Sequence, residues 1–315
     1  MRPLQSACAL TIFSSLIVNL LAMSQGAGQA ATVSLRNSVG SKLEVAKHGA
    51  HVLTWSPGVN EESVLFVSPA AKFGPQDAIR GGIPICFPQF GPRGALEQHG
   101  FCRKNNDWAI AKQDEKSVEF ELKDSESTRA SAWPHTFQVN YLVELTDEGN
   151  LATKMKVKNT GSEQFTFTCA LHTYFGVGDI SSTSVEGLRG CEYEDSLQGG
   201  KVLQEQEDAI RFEGEVDRVY GPTPQGDESG EDGEGTAEIE IKDQSHKRRI
   251  CIFKSSSFPD AVVWNPWIEK SQKMADLPDD AYKRFVCVEV GAIRQPVSLQ
   301  PQQEWEASQA ISVKS

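Results

Sequence analysis

Residues 137–159 read FQVNYLVELTDEGNLATKMKVKN, and this stretch decides the fold class. In Phe137–Leu145 every odd position is apolar, and in Leu151–Asn159 three lysines share the face opposite Met155 and Val157. Successive side chains of a β-strand point to opposite faces, so a period of two is typical of a strand with one buried face. The stretch therefore predicts two half-buried strands.

The same alternation recurs along the chain, at Ser117–Leu122, Ala237–Lys242 and Arg249–Lys254. Long amphipathic helices are absent from the sequence. The clearest helical candidate is Lys270–Leu277, with a second turn near Pro278–Lys283. No internal repeat has the period of a solenoid or a propeller. Many short strands separated by turn residues predict an all-β sandwich or barrel.

Composition limits the classes of protein that the chain can belong to. The chain has 315 residues, 39% of them hydrophobic and 23% charged, with a formal net charge of −12. This length allows one large all-β domain or two average ones, and the composition excludes collagenous, wholly disordered and multi-pass membrane proteins. General nucleic-acid binding needs a basic surface, so we expect no nucleic-acid partner. The seven cysteines form no CxxC pair, which excludes a disulfide scaffold and a zinc ribbon.

The N-terminal segment differs from the rest of the chain. No charged residue lies between Arg2 and Arg36, residues 7–23 are mostly apolar, and small residues follow up to Ala31. These features are typical of a secretory signal peptide. The apolar run is marginal for a membrane span, so an uncleaved anchor and an organelle transit segment remain alternatives. We therefore divide the chain into residues 1–31, a targeting signal or anchor that gives the one expected membrane contact, and a β domain at 32–315.

Two segments depart from the strand pattern. Residues 80–108 hold Gly and Pro at short intervals, so no regular element is expected to run far there. Their large apolar side chains nevertheless require burial, which predicts an ordered and functional loop. Residues 225–235, QGDESGEDGEG, are acidic and glycine-rich with no apolar side chain, which predicts a solvated surface loop.

Two ionisable residues interrupt otherwise apolar strand patterns. In 164–175, QFTFTCALHTYF, an apolar face runs through the odd positions and His172 falls on the opposite, more polar face. In 284–293, RFVCVEVGAI, three valines share one face and Glu289 lies on the other. A buried carboxylate is costly unless it is hydrogen-bonded or paired. Taken singly, His172 fits an ordinary strand histidine and Glu289 a structural ion pair, whereas together they supply an acid and a base.

The remaining histidines give no signal for a metal. His48 and His51 would lie on opposite faces of an extended segment, without cysteines or an acidic cluster beside them, so no metal site is predicted. His135 is expected at a turn or strand edge and His246 in an exposed basic run. His99 either contributes to a site or structures its loop. The sequence holds no glycine-rich nucleotide motif and no GxSxG, so nucleotide-binding and α/β-hydrolase functions have no support.

Several motifs together resemble one enzyme family. In chain order they are RGGIP at 80–84, FP at 87–88, FG at 90–91, QHGFCR at 98–103 with Trp108, LHTYF at 171–175, VDRVY at 216–220, VWNPW at 263–267 and Val288-Glu289. Their order and spacing resemble the glucose-6-phosphate 1-epimerases, which are hexose-6-phosphate mutarotases related to aldose 1-epimerase, and above all the plant-type members. The resemblance covers roughly residues 32–310. One departure is Cys102, where the family more often has Ala.

The resemblance implies a fold, a site and a reaction. The fold is a galactose mutarotase-like antiparallel β-supersandwich that binds sugar on a concave sheet face. The implied catalytic pair is His172 and Glu289, and the positions that match substrate-contacting residues of the family are Arg80, Gln98, Arg103 and Asp217. Interconverting anomers requires removal of a proton from O1–H and delivery of one to the ring oxygen O5. A carboxylate and an imidazolium can do this without a cofactor, while arginine forks bind a phosphate.

Three functions remain open from the sequence. The first is a hexose-6-phosphate 1-epimerase, the second an aldose 1-epimerase for unphosphorylated sugars, and the third a non-catalytic carbohydrate-binding sandwich. We expect a monomer whose small-molecule partner is a hexose 6-phosphate. Such a substrate indicates the cytosol or a plastid, and the sparse cysteines favour a reducing compartment. The N-terminal segment instead indicates membrane targeting, so the localisation stays open.

Overall fold

The computed structural model describes residues 31–59, 62–223 and 239–314. Its strands, in chain order, are β1 Thr32–Arg36, β2 Lys42–Ala46, β3 His51–Ser56, β4 Ile85–Cys86, β5 Ala109–Gln113, β6 Ser117–Lys123, β7 Phe137–Leu145, β8 Leu151–Asn159, β9 Phe165–Leu171, β10 Tyr174–Gly176, β11 Thr183–Glu186, β12 Glu192–Asp195, β13 Lys201–Gln204, β14 Ala209–Arg211, β15 Val216–Tyr220, β16 Ile239–Asp243, β17 Arg248–Lys254, β18 Asp260–Asn265, β19 Phe285–Leu299 and β20 Glu304–Lys314. The helices of the described residues are short: α1 Glu126–Arg129, α2 Trp267–Gln272, and 3-10 turns at His48–Ala50, Cys102–Lys104, Ile180–Ser182, Ser196–Gln198 and Ala281–Arg284.

These strands form two large antiparallel sheets and a small one. One large sheet has the order β13-β12-β15-β18-β19-β9-β4, with β10 paired to β19. The other has the order β14-β11-β16-β17-β20-β8-β7-β6-β5, and the small sheet is β1-β2-β3. The prediction of an all-β sandwich is confirmed.

The main core lies between the two large sheets. The apolar face of β7 packs there, and so does the face of β19 that carries Val286, Val288 and Val290. A second, smaller cluster covers the opposite face of the same β19 segment and includes Phe285 and Cys287. The strand is therefore buried on both sides. This matches its nearly continuous apolar sequence and places Glu289 on the side away from the main core.

The predicted strands are found with small changes at their ends. β7 and β8 have the predicted bounds, and β19 continues beyond the predicted segment to Leu299, with a register shift between Ala292 and Val297. The single strand expected over 164–175 is wrong at its C-terminal part, because β9 ends at Leu171 and β10 begins at Tyr174. At the break, the His172 N–H donates to the Pro84 carbonyl. The 80–108 segment thus supplies the hydrogen-bond acceptor for the backbone N–H at this break.

The helical prediction is correct in place and wrong in extent. The helix α2 begins three residues earlier than predicted, because the Asn265 side chain accepts a hydrogen bond from the Trp267 N–H and starts the turn. It ends at Gln272, and the second turn is a 3-10 turn at Ala281–Arg284. None of the helices in the described ranges has the length and apolar character required to cross a bilayer.

The two irregular segments have different outcomes. Between residues 80 and 108 the structure has the two-residue strand β4 and one 3-10 turn, as the Gly and Pro spacing predicts. Ile83, Ile85 and Phe87 are fully buried, so the segment is an ordered part of the core. The acidic stretch 225–235 and the N-terminal residues 1–30 lie outside the described residues.

Candidate active site

The centre of the eight-stranded sheet sets His172 opposite Glu289. The strand β9 pairs with β19 as far as Leu171 and Val290, and β10 pairs with β19 in the same register. The antiparallel register is therefore continuous across the break between β9 and β10, and it brings His172 across from Glu289. Opposed residues of an antiparallel pair project from the same face, which here is the face away from the main core.

A second row of residues lies beside this pair on the same face of the sheet. Tyr174, Cys287, Trp264 and Asp217 follow one another across β10, β19, β18 and β15. The period of two along β19 puts this row on the same face as Glu289. The His172 ring stacks on the Tyr174 ring, with centroids 4.8 Å apart and planes 11° apart.

His172 and Glu289 are buried, and some of their polar atoms have no partner. The two residues are 7% and 2% exposed. The distance from His172 Nδ1 to Glu289 Oε1 is 3.3 Å. Yet Nδ1 lacks an aligned hydrogen bond, and Glu289 Oε2 has no partner either. A buried polar atom without a partner costs about 1–3 kcal/mol, so two of them side by side mark a place where a polar ligand fits.

Burial opposes the charge on both groups. The pKa of His172 lies well below its ordinary value of 6.5, because burial disfavours the imidazolium and His99 and the nearby arginines add to this. The pKa of Glu289 lies well above 4.5, because burial and the charge of Asp217 disfavour its carboxylate. Their 3.3 Å contact couples the two titrations, so the dyad exchanges protons as a unit. It can hold one proton on either partner.

Arg80 is carried by a glycine turn and is already well bonded. Gly82 has φ +62, and a Cβ there would lie 2.1 Å from the Val52 carbonyl oxygen, so the turn requires glycine. The Arg80 guanidinium donates from Nη1 to the Tyr174 hydroxyl at 3.0 Å and from Nε to Asp276 Oδ2 at 3.2 Å. Arg80 thereby fixes the position of the Tyr174 ring, on which His172 stacks.

Arg103 and Gln98 come from the second half of the irregular segment. The 3-10 turn Cys102–Lys104 presents Arg103, whose Nη2 donates to the Gln98 carbonyl at 2.8 Å. Arg103 Nε is buried with no hydrogen-bond partner. Cys102 is fully buried in the main core, on the side away from the site. Arg103 thus brings a guanidinium with unused donors to the site.

His99 orders the loop between Gln98 and Arg103. His99 has a φ of +67, a left-handed conformation that is rare outside glycine. Such a conformation persists only where the surrounding structure holds the residue in place. Burial lowers its pKa to about 3, so the ring is neutral. The Gly91 N–H donates to Nδ1 at 3.2 Å, which leaves the proton of the neutral ring on Nε2. The ring also lies edge-on to His172, with centroids 5.3 Å apart.

Asp217 meets a lysine that the sequence did not mark. The Lys270 ammonium, on α2, lies 2.7 Å from Glu215 Oε1 and 3.4 Å from Asp217 Oδ2. It also lies 5.7 Å from the centre of the Trp264 ring. Asp217 on β15 and Glu215, the residue just before that strand, therefore share one lysine at the edge of the site.

The structure brings all six predicted site residues to one cavity of about 600 Å³. They come from separate segments of the chain and are Arg80, Gln98, Arg103, His172, Asp217 and Glu289. Sequence reasoning missed Lys270 and Trp264, which line the same cavity, and Asp276, which binds Arg80. Tyr174 and Trp264 stood within quoted motifs without a role. Lys270 lay in a predicted helix, and its position gave no separate signal.

The other histidines lie elsewhere. His48 contacts Asn106 and the Asp77 carbonyl, and His51 contacts the Gly81 carbonyl. His246 lies in an exposed run, as expected, and pairs there with the buried Asp243 at 2.6 Å. Within the described ranges no three His, Cys, Asp or Glu side chains gather in a way that could hold a metal ion.

Solved structures define the class of protein to which this fold and site belong. A Salmonella typhimurium protein provisionally named mutarotase, YeaD, superposes with a TM-score of 0.77 and 32% identity over 90% of each chain. A galactose mutarotase related enzyme from Lactobacillus acidophilus superposes with a TM-score of 0.71, covering 90% of this chain and 98% of its own, at 16% identity. The fold is thus the galactose mutarotase-like antiparallel sandwich, as the motifs implied.

Sequence comparison gives the family. The model of the aldose 1-epimerase family matches residues 31–312, and the chain belongs to this family. A relative from Cenchrus ciliaris, provisionally named glucose-6-phosphate 1-epimerase, is 39% identical over 291 residues, which cover 89% of this chain and 84% of the relative. A relative from Escherichia coli with the same provisional name is 35% identical over 280 residues, covering 86% and 87%. The chain is an isomerase that interconverts sugar anomers.

Proposed function

We propose that the chain is a hexose-6-phosphate 1-epimerase that interconverts the α and β anomers of glucose 6-phosphate. The observation that carries the proposal is one cavity that combines a buried acid–base pair with guanidinium groups. His172 and Glu289 have buried polar atoms without partners, and Arg103 adds a third. A sugar with hydroxyls at one end and a phosphate at the other matches these atoms in chemistry. The names of the relatives agree with this substrate.

The reaction needs two proton transfers at the anomeric centre. Glu289 removes the proton from O1–H while His172 delivers one to the ring oxygen O5, and the C1–O5 bond breaks to give an open-chain aldehyde. Rotation about C1–C2 presents the other face of the aldehyde. O5 then attacks C1 and returns its proton to His172, and O1 takes the proton back from Glu289. Ring closure thereby restores the starting protonation state of both residues, and atoms and protons balance over the cycle.

Arg103 and Arg80 have different parts in phosphate binding. Arg103 makes one hydrogen bond to the protein through Nη2, which leaves the rest of the fork for an anion. Arg80 is engaged by Asp276 and Tyr174, so it contributes charge and the remaining guanidinium N–H groups. Asp217 and Gln98 orient sugar hydroxyls. The phosphate affinity therefore rests more on Arg103 than on Arg80.

The engagement of Arg80 also favours a second candidate function, an aldose 1-epimerase for unphosphorylated sugars. An arginine whose charge is already balanced by Asp276 is less available to a phosphate. The discriminating experiment compares α-glucose 6-phosphate and α-glucose by polarimetry or exchange NMR, in a buffer that gives slow spontaneous mutarotation. The proposal expects acceleration of both, with much the larger kcat/KM for the phosphorylated sugar. No acceleration over buffer would refute an epimerase, and a preference for glucose would select the second function.

We also propose a division of the chain. Residues 1–31 act as a targeting signal or anchor, and 32–315 form the catalytic domain, which acts as a monomer. The first described strand begins at Thr32 and the family match begins at residue 31, which supports this boundary. Three measurements test this proposal. N-terminal sequencing of the mature protein shows whether residues 1–31 are removed, microscopy of a C-terminal fluorescent fusion shows where the protein is targeted, and light scattering gives the oligomeric state. An N-terminus at residue 1 on a protein free of membranes would contradict the division.

A further inference from the structure

Lys270 enters the cavity but belongs to none of the roles assigned so far. Its ammonium lies between Glu215 and Asp217, at 2.7 Å and 3.4 Å, and 40% of its side chain is exposed. Its pKa is raised, because these two carboxylates outweigh the lowering effect of burial. The side chain is therefore a permanent positive charge at the edge of the site that contains Glu289.

The short helix α2 holds Lys270 firmly in this place. The Asn265 amide donates to the Tyr282 and Phe285 carbonyls at 2.9 and 2.8 Å, and its oxygen accepts from the Trp267 N–H at 2.9 Å. The fully buried Asn265 thus ties the start of α2 to the chain that leads into β19. The ammonium also lies over the Trp264 ring, which restricts the lysine further. The position of Lys270 relative to β15 is set by the fold.

The charge on Asp217 has two opposing effects in this site, one on sugar binding and one on the ionisation of Glu289. A carboxylate accepts hydrogen bonds from sugar hydroxyls, yet the charge of Asp217 disfavours ionisation of Glu289. The ionisable groups around Glu289 come from every neighbouring element and are His172, Cys86, Cys287, Asp217, Arg103 and Tyr174. Asp217 is the acidic member of this set that carries its charge into the cavity, and Lys270 is its cationic partner.

We propose that Lys270 is a positioning residue that holds the Asp217 carboxylate in place and offsets its charge in the cavity that contains Glu289. The proposal deepens the proposed function and rests on it. Asp217 can then bind a sugar hydroxyl while Glu289 remains able to take a proton from O1–H. The role is indirect, because the lysine acts through Asp217 on both binding and proton transfer.

Glu215 makes the proposal testable in two directions. It is the nearer partner of Lys270, so it draws part of the lysine charge away from Asp217. Neutral Glu215→Gln leaves more of that charge for Asp217. Lys270→Met keeps the length of the side chain and removes the charge. The two substitutions therefore change the electric field at Glu289 with opposite signs.

The test compares four variants with the wild type by exchange NMR, measuring kcat and KM from pH 5 to 9. For Lys270→Met we expect KM to rise about tenfold, as for loss of a charged hydrogen bond. The pH profile should move by about half a unit to higher pH, because an unbalanced negative charge favours protonation of Glu289. Glu215→Gln should move the profile to lower pH, and Lys270→Arg should restore it. The matched control is Lys273→Met, at an exposed lysine directly after the helix, and it should match the wild type.

The alternatives give different results. If Lys270 contacts the phosphate directly, Lys270→Met raises KM for glucose 6-phosphate alone and the Glu215→Gln profile does not move, which overturns the positioning role. Equal pH profiles in all variants overturn it as well. Wild-type activity decides the proposed function separately: if the wild type acts on free glucose only, the same comparison is run on glucose, and if it accelerates neither sugar, the proposed function fails.

Discussion

At the scale of single residues, the site is defined by polar atoms that the protein leaves without partners. The strand alternation placed Glu289 on the face opposite three valines, and this prediction is confirmed. The sequence could not show that His172 lies opposite Glu289, because that depends on the pairing of two strands distant in the chain. Leaving buried donors and acceptors unpaired is destabilising, and this supports the proposal that these residues bind a ligand.

Replacing either member of the acid–base pair should remove activity without loss of the fold. His172→Asn and Glu289→Gln are each expected to lower kcat for glucose 6-phosphate about 10²–10⁴-fold, the usual contribution of a general acid or base. Because each substitution removes a buried ionisable group, the melting temperature should stay equal or rise. Polarimetry and calorimetry measure the two quantities. Retention of full activity would support the non-catalytic sandwich.

The His172–Glu289 pair should hold a single proton, and take up no second one, in weakly acidic solution. Its pKa lies well below 6.5, because burial and then the neighbouring His99 and arginines disfavour the second proton on the dyad. Because the reaction uses the pair with one proton, activity should be lost only when the pH falls well below 6.5. NMR of the ring carbon signal, assigned with His172→Asn, should show no titration around that pH. Histidines of the unfolded protein, which titrate near 6.5, are the control, and a His172 midpoint there would contradict the prediction.

At the scale of elements, the site depends on where regular pairing stops. The strands β9 and β10 keep one register with β19, and the break between them is held by the Pro84 carbonyl from the irregular segment. Glycine and proline spacing predicted that no regular element would run far between residues 80 and 108. It could not predict that the segment would end a strand elsewhere, since this requires a hydrogen bond across the fold. The same segment carries Arg80 and Arg103 to the cavity.

The turn that carries Arg80 should be intolerant of any side chain at Gly82. Its φ of +62 is unfavourable for other residues, and a Cβ would meet the Val52 carbonyl oxygen at 2.1 Å. We expect Gly82→Ala to destabilise the protein by about 2 kcal/mol or more, from backbone strain and the forced shift of β3. Thermal unfolding measures this. Gly214→Ala, where a Cβ meets nothing within 4 Å, is the matched control, and equal melting temperatures of the two variants would contradict the argument.

At the scale of the whole molecule, the net charge of the chain does not describe the charges that face the cavity. The chain carries −12 overall, which predicts no nucleic-acid partner and taken alone would argue against an anionic substrate. The cavity nevertheless gathers Arg80, Arg103 and Lys270 on one sheet face. Electrostatic interactions are screened beyond about 10 Å at ordinary ionic strength, so a bound anion is influenced more by these cavity cations than by the distant acidic surface.

Binding of the phosphorylated sugar should therefore weaken with salt. Raising NaCl from about 0.05 to 0.5 M shortens the screening length several-fold and should raise KM for glucose 6-phosphate several-fold. KM for glucose should change little, because its contacts are uncharged. Arg103→Ala should raise KM for the phosphate ester at low salt and flatten the salt dependence, since it removes the guanidinium with unused donors. A salt effect equal for both sugars would contradict a phosphate site.

The sequence by itself determined the all-β class and the bounds of several strands, because side-chain alternation depends only on near neighbours in the chain. Its motifs, through the family resemblance, gave the six candidate residues. The tertiary structure alone decided that these residues share one cavity, that Tyr174 supports His172, and that Lys270 meets Asp217. Those contacts join β-strands, a loop and a helix that lie far apart in sequence. Their geometry depends on strand order and register. Burial of both faces of the central sheet specifies the register, and that burial is complete only when the whole chain has folded.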